Sequence, residues 1–288
     1  MIRRAAVPAL VALAVAGCGS SGGGAPPAAT VAAPGAAQVA NGPAPGRPLP
    51  VHVAPSHQAV PILMYHVIGT PRPGTPLPGL WVTAEAFRAQ VAALAAAGFQ
   101  GVTLDTVLDA WSGRARLPPH PVVLSFDDGY LGQGTVAGPV LAARRWPGVI
   151  NVVLKNVGIP GGISGTRLRQ LKAQGWEIDA HTLTHRDLTT LGPDDLRREI
   201  AGSRAELRRR FAAAVDAFCY PAGRFDATVE AAVRAAGYRA ATTEINGAAR
   251  PGDDRFALPR VRVDGGDSAA TVVARARAVL VDRLGSGT

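Results

Sequence analysis

Residues 124–130 read LSFDDGY, so two carboxylates, Asp127 and Asp128, stand side by side at the end of an apolar run. Adjacent like charges repel and resist burial. A strand sends alternate side chains to opposite faces, so one of the pair would enter the core unless the pleat breaks; Gly129 is the residue that lets it break. The pattern calls for a cation nearby. Farther on, HTLTH at 181–185 sets two imidazoles four positions apart. On one face of a helical turn, His181 and His185 can grip one metal ion while Thr182 and Thr184 point elsewhere. Alone, such a pair reads as two surface histidines; beside an Asp-Asp pair on a neighbouring strand it reads as a metal site. A metal with three protein ligands keeps positions open for water and a substrate oxygen, and that water still needs a base. One aspartate then binds the metal and the other takes the proton.

These residues need elements to position them. From Val60 onward, short apolar runs alternate with amphipathic stretches, the rhythm of a β/α architecture. The expected strands are 61–66, 100–104, 121–126, 149–154, 176–180, 217–220, 238–243 and 257–263. Helices are expected over 84–97, 167–174, 194–211, 227–236 and 269–284. Eight strands predict a (β/α) barrel, distorted, with its chemistry at the C-terminal ends of the strands, where the polar clusters fall.

SFDDG, HTLTH and the FCYPAG at 218–223 together resemble the ordered motifs of the NodB-like polysaccharide deacetylases, carbohydrate esterase family 4. The resemblance spans roughly residues 60–265. It implies that Asp127 is the general base and that Asp128, His181 and His185 hold a divalent metal, usually zinc. It also implies that N–H groups of the Tyr220, Pro221, Ala222, Gly223 loop hold the developing oxyanion.

Two departures stand out. Many members carry a base-supporting arginine where this chain has Cys219; Arg260, in LPRVRV, is the candidate substitute. The usual C-terminal acid histidine has no counterpart, because no histidine follows His185. His66, in ILMYHVI, ends the first strand and would reach the same rim. The poly-N-acetylglucosamine deacetylase subgroup resembles this chain in carrying its acid in an N-terminal Tyr-His motif and in lacking the arginine, so His66 is expected to be the acid. Trp81 could stack on a sugar but is expected to pack at the start of a helix. His52, His57 and His120 are expected to be solvated.

The chain has 288 residues, 47% hydrophobic and 18% charged, which suits one large domain with extensions. Its net charge of +9 comes almost wholly from scattered arginines, with no basic stripe or aromatic-rich motif for nucleic acid. The N-terminus carries Arg3 and Arg4, an apolar stretch too short to span a bilayer, and VAGC, which resembles a lipobox. Residues 1–18 are therefore expected to be a lipoprotein signal with Cys18 lipidated, 19–58 a Gly/Ala/Pro-rich tether, and 59–288 the deacetylase domain. Cys219 is then left without a partner. The expectation is an extracytoplasmic, membrane-anchored, metal-dependent N-deacetylase of an acetylated hexosamine polymer. An O-acetyl esterase of xylan or a wall polymer, and a non-catalytic glycan-binding protein, are the alternatives.

Overall fold

Seven of the apolar runs become parallel strands that close on themselves. In the structure, a computed structural model that describes residues 53–281, these are β1 (Val60–Tyr65), β2 (Pro121–Asp127), β3 (Val149–Val152), β4 (Glu177–Ala180), β5 (Ala217–Cys219), β6 (Ala240–Asn246) and β7 (Leu258–Arg262). Each pairs with the next, and β1 pairs with both β2 and β7, which closes the ring. The fold is an α/β barrel of seven parallel strands surrounded by helices. Its distortion sits between β6 and β7, where the register shifts between Leu258 and Arg260.

The eighth expected strand, 100–104, is not a barrel strand. Only Gln100–Gly101 pairs, against Pro121 and Val122 of β2. The run is cut at Thr103, whose hydroxyl caps helix α2 (Leu104–Trp111) by accepting the Thr106 N–H. Leu104, Val107, Leu108 and Trp111 of this helix then pack with Ile62, Val123, Val149 and Leu258, plugging the N-terminal end of the barrel. Outside the ring, Tyr65, Phe126 and Trp176 stack in a row and Phe87 meets Tyr65 and Phe126 edge-on. Phe87 belongs to α1 (Ala84–Ala96), one of the helices that the apolar period predicts.

Three further helices follow the predicted stretches: α4 (Gly165–Ala173), α7 (Ala227–Ala235) and α8 (Ala269–Val281), with α3 (Gly138–Ala142) a short addition. The helix expected over 194–211 is instead α5 (Pro193–Arg197) and α6 (Ser203–Phe211), joined by one wide π turn at Arg198–Gly202. A second π turn, Gln133–Ala137, precedes α3. The packed chain also begins earlier than residue 59: Val53 and Ser56 donate to the carbonyls of Gly113 and Ala110 behind the plug helix. Residues 1–52, which include Cys18, His52 and most of the expected tether, lie outside the described residues. No described helix is long and apolar enough to cross a membrane.

Two buried acids fasten the plug. Glu177 Oε2 accepts the Asp105 N–H at 2.9 Å, and Asp179 Oδ1 accepts the Ala217 N–H at 2.9 Å. Their other oxygens, Glu177 Oε1 and Asp179 Oδ2, are buried and have no other hydrogen-bond partner among the described residues, and the two acids, two residues apart on one strand, act directly on each other. Such a contact between buried carboxyls requires a shared proton. Burial first, then the neighbouring acids, pushes Asp179 up to about 7 and Glu177 well above its ordinary value. Both folded values lie above the unfolded ones, so the stabilisation is complete below about pH 4 and is lost as pH rises through about 7. Asp179→Asn supplies an N–H donor that needs no proton. Thermal melting across this interval should show wild type losing stability with rising pH and the variant losing much less; equal slopes would exclude the shared proton.

Candidate active site

The C-terminal ends of the strands carry nearly every residue singled out for chemistry. His66 follows β1, Asp127 ends β2, His181 follows β4, Cys219 ends β5, and Arg260 lies on β7. His66, Asp127, Asp128, His181, His185 and Ala222 all line one cavity of about 500 Å³.

The adjacent aspartates part company through the backbone. Asp127 keeps the strand's inward direction and is buried, whereas Asp128 takes φ 75° and Gly129 φ 80°, which turns the second carboxylate toward the cavity. A left-handed φ at a non-glycine residue is a strain held by its surroundings. The same device shapes 181–185. This segment is not helical; Thr182 and His185 have φ of 69° and 63°, and the loop folds until the two imidazole centroids are 4.8 Å apart. The helical expectation for the pair was wrong, although the pair itself is assembled.

Asp128 Oδ1 lies 3.6 Å from His181 Nε2 and 3.4 Å from His185 Nε2. His181 Nδ1 meets the Cys219 carbonyl at 2.7 Å, which places the ring proton on Nδ1 and leaves Nε2 as a lone pair facing Asp128. Burial, and then the neighbouring Asp128 carboxylate, push the Tyr130 hydroxyl up to about 12. Burial works against the His181 imidazolium, but Cys219 and the two aspartates raise it to about 10, so a proton and a metal ion compete for Nε2. Burial and His181 lower His185. A second possible set, Asp127, His181 and Cys219, is also close together, but Asp127 is already committed to Arg260. The Asp128, His181, His185 set fits a divalent cation.

Arg260 answers for the missing family arginine. Its side chain is almost fully buried, and its Nη1 and Nη2 donate to Asp127 Oδ1 (2.9 Å) and Oδ2 (2.8 Å). Nε donates to the Thr243 carbonyl at 2.7 Å, and Ser125 Oγ and Cys219 Sγ receive the remaining N–H groups. A side chain as small as Cys219 leaves room for this fan. Asn151 adds a 2.7 Å hydrogen bond to Asp127 Oδ1. Burial alone would raise Asp127, but the Arg260 charge and then His66 outweigh it and hold the carboxyl far below the usual range. His66 Nε2 lies 3.8 Å from Asp127 Oδ2. Burial lowers His66, and the two aspartates offset part of the drop.

Three supporting residues were missed from sequence. Gln133 donates to the His66 carbonyl at 2.8 Å and to the Asp127 carbonyl at 2.5 Å. Glu199 accepts the Leu183 and Thr184 N–H groups and the Thr184 hydroxyl, bracing the histidine loop. Both come from the π turns, which often mark functional positions. Asn151, the third, is the one polar residue inside VINVVL, a signal that strand alternation could have exposed.

The Tyr220–Gly223 loop contributes less than expected. The Tyr220 N–H goes to the Thr242 carbonyl and the Gly223 N–H to the Tyr220 carbonyl, while Pro221 has none. Ala222, with φ 51°, is the loop residue whose N–H has no partner among the described residues, and it lines the cavity. Gly223 cannot carry a side chain, since a Cβ would sit 2.8 Å from that of Glu244. Trp81 packs against Gly69 and lines a neighbouring trough, not the catalytic cavity. His57 and His120 are exposed, as expected.

Arg260→Met removes one partner of a buried ion pair and leaves Asp127 uncompensated. Urea denaturation should show a loss of about 3–5 kcal/mol, with Arg260→Lys recovering part of it. A loss under about 1 kcal/mol, the range of an exposed pair, would contradict this role.

Residues 114–241 match the sequence model of the polysaccharide deacetylase family. The YxkH protein of Bacillus subtilis (strain 168) is 28% identical over 209 residues, 73% of each chain. The poly-beta-1,6-N-acetyl-D-glucosamine N-deacetylase of Escherichia coli (strain K12) is 41% identical over 68 residues, 24% of this chain and 10% of that protein. Among solved structures, the Streptococcus pyogenes deacetylase PplD, in complex with acetate, superposes with a TM-score of 0.71 at 24% identity, covering 77% of this chain and 99% of that one. Residues 114–241, which include the paired aspartates and the paired histidines, thus carry the match to the polysaccharide deacetylase family, and the seven-stranded barrel around them shares its fold with the solved deacetylase structure.

Proposed function

We propose that this chain is a metal-dependent hydrolase that removes N-acetyl groups from an N-acetylhexosamine polysaccharide outside the cytoplasm. The observation that carries the reading is the placement of His66 Nε2 3.8 Å from Asp127 Oδ2, on the same rim as Asp128, His181 and His185. A divalent cation held by those three residues would polarise the acetyl carbonyl and make water acidic near neutral pH. Two imidazoles and a carboxylate suit zinc.

The chain's own groups do the rest. Arg260 and Asn151 keep Asp127 ionised and aimed, so that it can accept a proton. The same pairing makes Asp127 a weak base, and His66 at its edge shares the proton load. Burial keeps His66 ready to give up a proton once it has one, and the leaving amine nitrogen is the group that needs it. The Ala222 N–H is available to an oxyanion at the cavity wall. Acetate and a free amine are the products.

The hexosamine polymer is supported by the likeness to the Escherichia coli enzyme and by the N-terminal position of the histidine. Export and membrane anchoring through a lipid on Cys18 are supported by the N-terminal sequence alone. An esterase would have less need of His66, because an alkoxide leaves more readily than an amine anion.

His66→Ala tests the reading. Turnover on an N-acetylated glycan should fall by roughly 10²–10⁴-fold, the usual contribution of a general acid, while an activated acetate ester loses far less. Equal losses on amide and ester, or an unaffected amide rate, would remove His66 from the mechanism.

A further inference from the structure

Beside the catalytic cavity lies a larger trough of about 670 Å³, and Tyr130 and Asn156 line both. Its walls come from the loops after β1, β2 and β3, with Trp81, Leu131, Ile159 and Pro160 as apolar surface. Leu131 and Ile159 are about half exposed, at 48% and 49%, although they are large apolar side chains. The volume falls within the ~300–1,000 Å³ range of small-ligand sites, enough for a sugar unit or two. Apolar walls suit the C–H faces of pyranose rings.

The charge of the trough is one-sided. Arg72 is its single charged lining residue, no carboxylate lines it, and the Arg72 guanidinium makes no hydrogen bond or ion pair among the described residues. Lys155, on the adjoining wall of the catalytic cavity, likewise forms no ion pair among the described residues. An N-acetylated sugar unit is neutral, whereas the product of its deacetylation carries an ammonium. Placed in this trough, that ammonium would meet like charge and find no acid to pair with.

We infer that the trough binds the sugar unit next to the one being deacetylated and accepts it in its N-acetylated form, rejecting it as the amine. This rests on the N-deacetylase reading and adds an action pattern to it. A unit whose trough-side neighbour has already lost its acetyl group is a poor substrate, so deacetylation runs along the polymer in one direction only.

Three trisaccharides of β-linked N-acetylglucosamine test this: the fully acetylated form, and two forms with a free amine on one terminal unit or the other. Acetate release from the central unit, mapped by mass spectrometry, should fall about tenfold or more in kcat/KM for one amine-bearing isomer and little for the other. Arg72→Glu should abolish or reverse that difference while leaving hydrolysis of an activated acetate ester unchanged, because Arg72 touches none of the catalytic groups. Wild type turning over both isomers as well as the parent, or Arg72→Glu keeping the discrimination intact, would overturn the inference while leaving the deacetylase reading standing. No acetate from any glycan, with ester cleavage retained, would overturn that reading and the inference with it.

Discussion

The buried pair between Arg260 and Asp127 is the interaction on which the rest of the site depends. A carboxylate sealed inside the barrel would be far too costly to keep ionised without a partner. A guanidinium that reaches both of its oxygens while its other N–H groups are taken by Thr243, Ser125 and Cys219 removes that cost. With Asp127 fixed inward, Asp128 must leave the strand direction, and its left-handed backbone delivers it to His181 and His185. The Cys219 backbone carbonyl then sets the His181 tautomer, and the Cys219 side chain makes room for Arg260. The position that lacks the family arginine is therefore what permits an arginine to arrive from another strand.

Around this centre the structure spends its irregularities on support. The two π turns widen the helical backbone where Gln133 and Glu199 reach back to hold the loops that carry His66, Asp127 and the histidine pair. Positive φ at Asp128, Thr182 and His185 stores strain where the candidate metal ligands converge. At the opposite end of the barrel, the plug helix and the Glu177–Asp179 contact close the interior. The rim and the plug thus draw on separate sets of buried ionisable groups, an aspartate paired with an arginine at one end and two neighbouring acids at the other.

Much of this was legible in the sequence because strand ends announce themselves. The apolar runs located all seven barrel strands, and the polar residues closing them, His66, Asp127 and His181, marked the rim. Arg260 could be named because LPRVRV reads as a late strand whose end reaches the rim, although Arg262, two residues on, shares its face and alternation alone does not choose between them. What could not be read shares one cause: it depends on backbone departures that no period reports. The histidine pair looked helical by spacing, but left-handed residues bring it together. Gln133 and Glu199 lie in π turns, which shift the face a helical count assigns to them. The run at 100–104 looked like a strand because apolar residues plug a barrel as readily as they form one.

The central claim is that Asp128, His181 and His185 hold a divalent cation beside an Arg260-locked Asp127, and that this assembly releases acetate from an N-acetylhexosamine chain. The most direct measurement is acetate release from a fully N-acetylated glucosamine oligomer by the purified protein, before chelation, after chelation and after a divalent cation is restored. Activity that disappears with the chelator and returns with the cation is the predicted result. Acetate release that is indifferent to chelation would contradict the account.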